Sequence, residues 1–330
     1  MRAVRKTFDG GSVPFFSLME IAKSQLAFSV IINCYNGEEF LRQAIESVYS
    51  QTFSDWEIIL WDNASTDDTP VIANSYDQKL RYFRSEETLP LGAARNRAIS
   101  EAEGEYLAFL DADDFWYEKK LEKYHHAILR SKGELIYSNC HILYADGKTK
   151  DLFSEDSDLP SGSIFTNLLK NYCVNFQTLV VSRKVLERMG EWFDEYFEVA
   201  EDMDFVLRAS LDSQACGLKE ILSAYRVHSA SFTWRKSSSF ITEKNRILDK
   251  LVAQSSLNQE EEKLLRPSFL DPSYRTHAIA CVLAGRRREA LSNLAKMSKK
   301  TMKSLFLEAA LLLLPSFLVS RLMRKFFFGE

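Results

Sequence analysis

Several things are scarce in this 330-residue chain, and each shortage narrows what it can be. Cysteine occurs only as Cys34, Cys140, Cys173, Cys216 and Cys281, an odd number, far apart and without a CxxC pair. That usage argues against a disulfide framework or a zinc site and predicts reduced, mostly buried thiols in a cytosolic setting. Long apolar runs are missing as well. The longest uncharged stretch near the end, Ala309–Ser320, is twelve residues around Pro315, whereas spanning a hydrocarbon core takes about 20. Arg2, Arg5 and Lys6 precede only a short broken apolar patch from Val13 to Met19, with no small-residue cleavage signal. Residues 1–26 are therefore expected to be an extension rather than a signal peptide. No internal repeat or low-complexity linker interrupts the chain. The net charge is only −4, yet it is unevenly spread. Arg286–Glu330 holds ten basic against three acidic residues, a net of +7, which leaves −11 for the remainder. An acidic body with a basic, apolar tail is not a nucleic-acid-binding profile; it suits an anionic membrane surface.

What is present is an ordinary globular composition, 46% hydrophobic and 27% charged, in a length that favours about two domains. From Phe28 the pattern alternates. "FSVII" (28–32) reads as a strand, and Phe40, Leu41, Ala44, Ile45, Val48 and Tyr49 then recur at helical spacing. "WEIILW" (56–61) and "LRYFR" (80–84) read as further strands, with helical segments at 70–76 and from Gly92 to Ala102, before the strand "EYLAFL" (105–110). Such alternation predicts an α/β fold on a mainly parallel sheet, with ligands at the carboxyl ends of the strands. "NCYN", "DNASTDD" and "DADD" all fall there. Past residue 130 the strands "ELIYSN", "TLVVS" and "KEILSAYRVH" and the helix "IFTNLLK" are expected, with a boundary near 233–240 and helices from about 240 onward.

The segment "YLAFLDADDFWYEKKL" carries the chemistry. If extended geometry persists, Asp111 and Asp113 point to the same side, where two carboxylates repel unless a hard divalent cation, Mg2+ or Mn2+, lies between them. The competing reading makes Asp111 to Asp114 a helix N-cap and first turn, which fits Asp114 before "WYEKKLEKYHHAIL".

Four ordered segments tip the balance. "FSVIINCYNGEEFLRQAIESVYSQTFSDWEIILWDNASTDDT", "LGAARNRAISEAEGEYLAFLDADD", "MGEWFDEYFEVAEDMDFVLRA" and "YRVHSAS" together resemble the inverting glycosyltransferases of family 2, with the GT-A fold, over residues 27–235. The resemblance implies a Rossmann-like mixed sheet flanked by helices, with residues 236–330 as a helical C-terminal region. It implies that Asn33, Tyr35 and Asn36 line the base and ribose pocket, with Tyr35 stacking on the base. Asp62 and Asn63 would stand at the second strand end, where the Asn63 carbonyl accepts from uracil or thymine. That choice favours UDP- or dTDP-sugars over GDP-sugars. Arg95 and Asn96 would lie beside the nucleotide, along with Asp111 and Ala112 of the DxD motif, and Gly190 would let backbone approach the donor sugar. An exposed arginine and a plain helix C-cap remain open for Arg95 and Gly190. Asp202 of the acidic motif is implied as general base, with Glu201 and Asp204 on the acceptor side, although an acidic first turn of "DFVLRASL" accounts for Glu201 equally well. Asp111, Asp113 and His228 would hold the metal.

The expected activity is metal-dependent, inverting transfer of a sugar from a nucleotide-sugar donor to a glycan or lipid-linked acceptor in cell-surface polysaccharide biosynthesis. A polyprenyl-phosphate sugar synthase usually has the transmembrane helices missing here, and a nucleotidyltransferase wants a basic Gly-rich loop where "NCYNGEE" is acidic. Intact Asp111, Asp113 and Asp202 speak against a non-catalytic glycan-binding scaffold. Lys299, Lys300, Lys303, Arg321, Arg324 and Lys325 flank the apolar tail, which ends in "FFF". That arrangement predicts a cytoplasmic enzyme held peripherally at the inner face of the membrane.

Overall fold

The structure, a computed structural model, describes residues 26–154, 157–227, 236–254 and 256–328. The expected extension (apart from Leu26) and His228 lie outside the described residues. In chain order the strands are β1 (Phe28–Cys34), β2 (Trp56–Asp62), β3 (Leu80–Arg84), β4 (Tyr106–Phe109), β5 (Phe115–Trp116), β6 (Leu135–Tyr144), β7 (Thr149–Asp151), β8 (Val180–Ser182) and β9 (Ala215–Val227). They form one sheet in the order 3-2-1-4-8-6-9-5, with β7 paired on β6. The first four strands are parallel. The sheet then turns mixed: β8 runs antiparallel to both β4 and β6, and β9 runs parallel to β6 and antiparallel to β5.

The helices α1 (Leu41–Tyr49), α2 (Thr69–Ala73) and α3 (Leu91–Ser100) connect the parallel strands. Both sheet faces are covered, so successive strand residues alternate between two cores. Ile31, Ile59, Leu107 and Phe109 enter one; Val30, Ile32, Ile58, Leu60, Ala108 and Leu110 enter the other. This is the period-two pattern of a strand buried on both sides. Leu41, Ala44, Ile45 and Val48 put the apolar stripe of α1 onto the second core.

Two expectations fail locally. The carboxylates after β4 do not continue the strand: Ala112 and Asp113 form a turn closed by the Asp114 amide donating to the Asp111 carbonyl at 3.1 Å. Asp114 is no helix cap either, because the two-residue β5 intervenes and α4 (Lys120–Ser131) begins later. Antiparallel pairing of Phe115 and Trp116 with Ala224 and Ser223 provides the tertiary partner that a local pattern does not show. The remaining elements are α5 (Phe165–Lys170), a 3-10 turn at Phe176–Thr178, α6 (Arg183–Met189) and α7 (Glu201–Ala209). After them come α8 (Ser237–Ala253), α9 (Gln259–Leu283), α10 (Arg287–Ala295), α11 (Met302–Leu313) and α12 (Ser316–Phe328).

The C-terminal helices are continuous with the body. Ile247, Leu248 and Leu251 of α8 and Leu265, Phe269 and Leu270 of α9 enter the core that holds Phe109, Phe193 and Phe205. The Phe193 and Phe205 rings stack at 4.4 Å, a contact of about 0.5–1.5 kcal/mol beyond burial alone. Only the later part, from Ala278 to Met323, builds its own small cluster.

Candidate active site

The loops after β1, β2 and β4 meet at one edge of the sheet. Asn36 takes a left-handed backbone (φ 52°) that asparagine tolerates. Its Oδ1 accepts from the Thr66 amide at 2.8 Å, and its own amide donates to Ser65 Oγ at 2.9 Å. Asp62 is fully buried, accepting from the Ser65 amide, the Tyr82 hydroxyl and the Arg84 guanidinium at 2.8, 2.7 and 3.1 Å. Asn63 pairs with the Leu89 backbone, donating to its carbonyl (2.8 Å) and accepting from its amide (2.9 Å), while Ser85 Oγ also donates to Asn63 Oδ1. These side chains therefore fix the loops at 62–66 and 85–89. Tyr35 is 55% exposed, and the buried Asn33 Nδ2 has no hydrogen-bond partner among the described residues.

Across the β4 end, Arg226 of β9 holds the acidic turn. Its amide donates to Asp114 Oδ1 (2.8 Å), and its guanidinium donates to the Asp113 carbonyl (2.9 Å) and Gln43 Oε1 (2.7 Å). Burial, with the charges of Asp113 and Asp111, lifts the Asp114 carboxyl well above the usual range.

Arg95 joins this turn to α7. It is buried, its guanidinium stacked over Phe176 at 4.3 Å. It donates to Glu201 Oε1 at 2.7 Å and to Asp111 Oδ1 at 3.4 Å. Three separate segments thereby place Asp111, Glu201 and Asp202 in one cleft. All three titrate high. Burial pushes Glu201 to about 7, against the opposing pull of Arg95. Asp111 rises to about 6 through burial, offset by Arg95 and reinforced by Asp113 and Asp202. Asp202 is also raised, chiefly by burial, and its Oδ1 accepts from the Met203 amide at 2.7 Å. The Asp111 side chain nevertheless keeps 44% of its surface open. Crowded, partly open carboxylate oxygens are a donor set that a hard divalent cation fits.

The other expected residues have different places. Asn96 clamps the Phe193 backbone from both sides (2.9 and 3.0 Å). Gly190 ends α6 with φ 70°, a left-handed conformation that favours glycine. Asp204 points into an ion-pair network with Arg208 (2.6 Å) and Lys250 (3.4 Å). Ala112 packs partly against the second core. Sequence reasoning missed Arg226 and Tyr172. The buried Tyr172 hydroxyl has no hydrogen-bond partner among the described residues, and its pKa is raised by burial and then by Asp202. Two features lie away from the cleft. A cavity of about 880 Å3 is lined by Gln43, Trp116, Tyr117 and Glu220 and includes none of these catalytic candidates. Cys281, His277 and Glu289 converge at 3.6 and 3.1 Å where α9 meets α10. Hydrogen bonds there, including Ser237 Oγ to His277 Nδ1 at 3.0 Å, already satisfy the group.

Residues 29–173 match Glycosyl transferase family 2. The chain is 29% identical over 221 residues to the UDP-Glc:alpha-D-GlcNAc-diphosphoundecaprenol beta-1,3-glucosyltransferase WfaP of Escherichia coli, covering 66% of this chain and 84% of that one. Among solved structures it is similar to S. aureus TarS in complex with UDP, at a TM-score of 0.60 and 18% identity over 92% of both chains. It is also similar to the mannosyltransferase PcManGT of Pyrobaculum calidifontis in complex with GDP-Man and Mn2+ (TM-score 0.53, 18% identity, 90% of this chain and 83% of that one). With its mixed sheet in the GT-A arrangement, the chain carries a Glycosyl transferase family 2 domain over residues 29–173.

Proposed function

We propose that the enzyme moves a sugar from a UDP- or dTDP-sugar to a hydroxyl of a glycan or lipid-linked saccharide, with inversion, in cell-surface polysaccharide synthesis. The observation that carries this reading is Arg95, which ties the DAD turn to the start of α7. Nucleotide and acceptor sites then face each other across one cleft. Tyr35 stacks on the base, and Asn33, Asn36, Asp62 and Asn63 shape the pocket floor. Asp111 and Asp113, with His228 beyond the described residues, would hold Mg2+ or Mn2+. Bound there, the ion supplies Lewis-acid stabilisation of the departing diphosphate.

Asp202 is the general base. Burial raises its pKa, which makes it a stronger acceptor for the proton of the attacking hydroxyl, and the charge of Arg95 opposes that rise. Glu201 is spent on Arg95 and orients that cation. The name of WfaP supports a UDP-sugar donor and a diphosphoundecaprenol-linked acceptor, and the UDP and Mn2+ complexes of the two solved structures support the donor and the ion.

A lipid-linked acceptor gives the tail a role. Among the described residues no helix is long and apolar enough to cross a membrane. Yet Met302, Phe306, Leu312 and Leu313 of α11 and Phe317 of α12 are exposed, beside Lys299 and Lys303. That surface suits peripheral contact with an anionic inner leaflet.

Asp202→Asn tests the catalytic reading. Transfer is followed as UDP or dTDP released from a panel of UDP- and dTDP-sugars, with GlcNAc-diphosphoundecaprenol and with water as acceptors, taking the fastest wild-type pair. Losing the base should cost about 10²–10⁴-fold in kcat, with nucleotide affinity near wild type. Turnover within tenfold of wild type assigns the base elsewhere.

A further inference from the structure

Two adjacent side chains of α8, outside the segments that resemble the family, are buried against the body. The N-cap of α7 is Ala200, which has no side-chain oxygen with which to cap the helix, and no side chain of its own segment does so. Glu243 of α8 supplies the missing acceptor. Its Oε1 accepts from the Glu198 amide at 2.8 Å, and its Oε2 accepts from the Val199 and Ala200 amides at 3.0 and 2.9 Å. One buried carboxylate thus holds three successive backbone N–H groups directly ahead of Glu201 and Asp202. Lys244 is also buried. Its ammonium donates to the Phe269 carbonyl at 2.9 Å and lies 4.7 Å from the Phe269 ring centre.

Anchoring α8 to the body does not require this chemistry, since Ile247, Leu248 and Leu251 already bury its apolar side. A fourth carboxylate brought to a helix start that carries Glu201, Asp202 and Asp204 is costly unless the exact course of that backbone matters. We infer that Glu243 is a positioning residue for Asp202: it fixes the backbone from which the base projects. The inference rests on Asp202 being the base.

The test uses the full chain, the wild-type donor and acceptor pair chosen above, and UDP binding with Mn2+ as the measure of an intact fold. Glu243→Gln turns an amide N–H toward backbone donors; it should lower kcat about a hundredfold with donor KM within threefold. Glu243→Asp keeps the charge on a side chain one methylene shorter and should lower kcat about tenfold with UDP affinity unchanged. Wild-type kcat in Glu243→Gln overturns the inference. So does a fall in kcat accompanied by an equal fall in UDP affinity. If Glu243→Gln no longer binds UDP, Glu243→Asp decides alone: wild-type kcat, or equal losses in kcat and UDP affinity, overturn the inference. Asp202→Asn, measured alongside, separates the two readings: if it remains active, the base is misassigned; if it is inactive while the α8 variants behave as wild type, this inference alone falls.

Discussion

Replacing Arg95 by Met removes the one cation that bridges Asp111 and Glu201 while keeping an unbranched side chain between Phe176 and Phe193. The apolar part of the packing survives, so the effect reads the charge. Glu201 is only 5% exposed, and breaking a buried pair from one side costs about 3–5 kcal/mol when the orphan stays ionised. The pH dependence follows from the direction of the shift. In the wild type the Glu201 pKa is raised to about 7 from an ordinary 4.5. A carboxyl shifted upward stabilises the fold fully below its unfolded pKa and gives this up as pH climbs through the folded one. Without Arg95 that folded pKa rises further, so the variant pays most at pH 8. At pH 5.5 the carboxyl takes up a proton, leaving an under-bonded neutral acid, about 1–3 kcal/mol. Against a total stability of about 5–15 kcal/mol, the difference is easily read. Urea denaturation of both proteins at pH 5.5 and pH 8, followed by far-UV circular dichroism, should show the gap widening by about 2 kcal/mol at the higher pH. A gap under 1 kcal/mol at pH 8, or one equal at both pH values, would refute the account of Arg95 as the charge holding the cleft together.

UDP or dTDP should raise the melting temperature only when Mg2+ or Mn2+ is present, and equal stabilisation in EDTA would sink the metal bridge. Mn2+ added in weak buffer near pH 6 should release protons, because Asp111 titrates at about 6 without a metal; the release should vanish at pH 8.5, and a constant signal would mean that Asp111 is not a ligand. The full chain should sediment with anionic vesicles, be partly freed by high salt and need detergent for the rest, since polybasic attraction of about 1 kcal/mol per residue fades with salt. A chain ending after Lys300 should stay in the supernatant and still bind UDP with Mn2+; full-length protein that ignores anionic vesicles at low salt would make the tail a packed appendage.

The parallel half of the sheet was legible because it is locally encoded. Ile31, Ile59 and Leu107 alternate with residues facing the other core, and each strand stops at a polar loop. Strand β5 was not legible, since Phe115 and Trp116 are extended only by virtue of pairing with Ser223 and Ala224, about a hundred residues on. The same holds within the site. Asp111, Glu201 and Asp202 stand out as acids at element ends, whereas Arg226, Tyr172 and Glu243 sit in segments whose pattern gives no reason to single them out. Asn63 and Asn96 show a subtler gap: motif position puts them beside the nucleotide, but their amides are engaged by the backbones of Leu89 and Phe193. Side chains that build a pocket and side chains that touch its ligand occupy the same motif.

Charge explains why an apolar strand should run out of the core into clustered acid. Asp111, Asp113, Asp114, Glu201 and Asp202 bring five carboxyl groups together, and two cations from different elements brace them. Arg226 holds the turn at Asp113 and Asp114, and Arg95 spans Asp111 and Glu201. Burial is the first cause of the raised pKa values of Asp111, Asp114, Glu201 and Asp202, and neighbouring acids add to it at Asp111, Asp114 and Glu201. On the proposed reading, further resident cations would weaken the attraction for a divalent ion and lower the pKa of the carboxylate proposed as base. The C-terminal helices matter here, because the carboxylate that caps the start of α7 comes from α8 and not from the sheet. A domain ending near residue 235 would present Asp202 on an α7 without the Glu243 cap, so on the proposed reading the helical extension supports the site it follows.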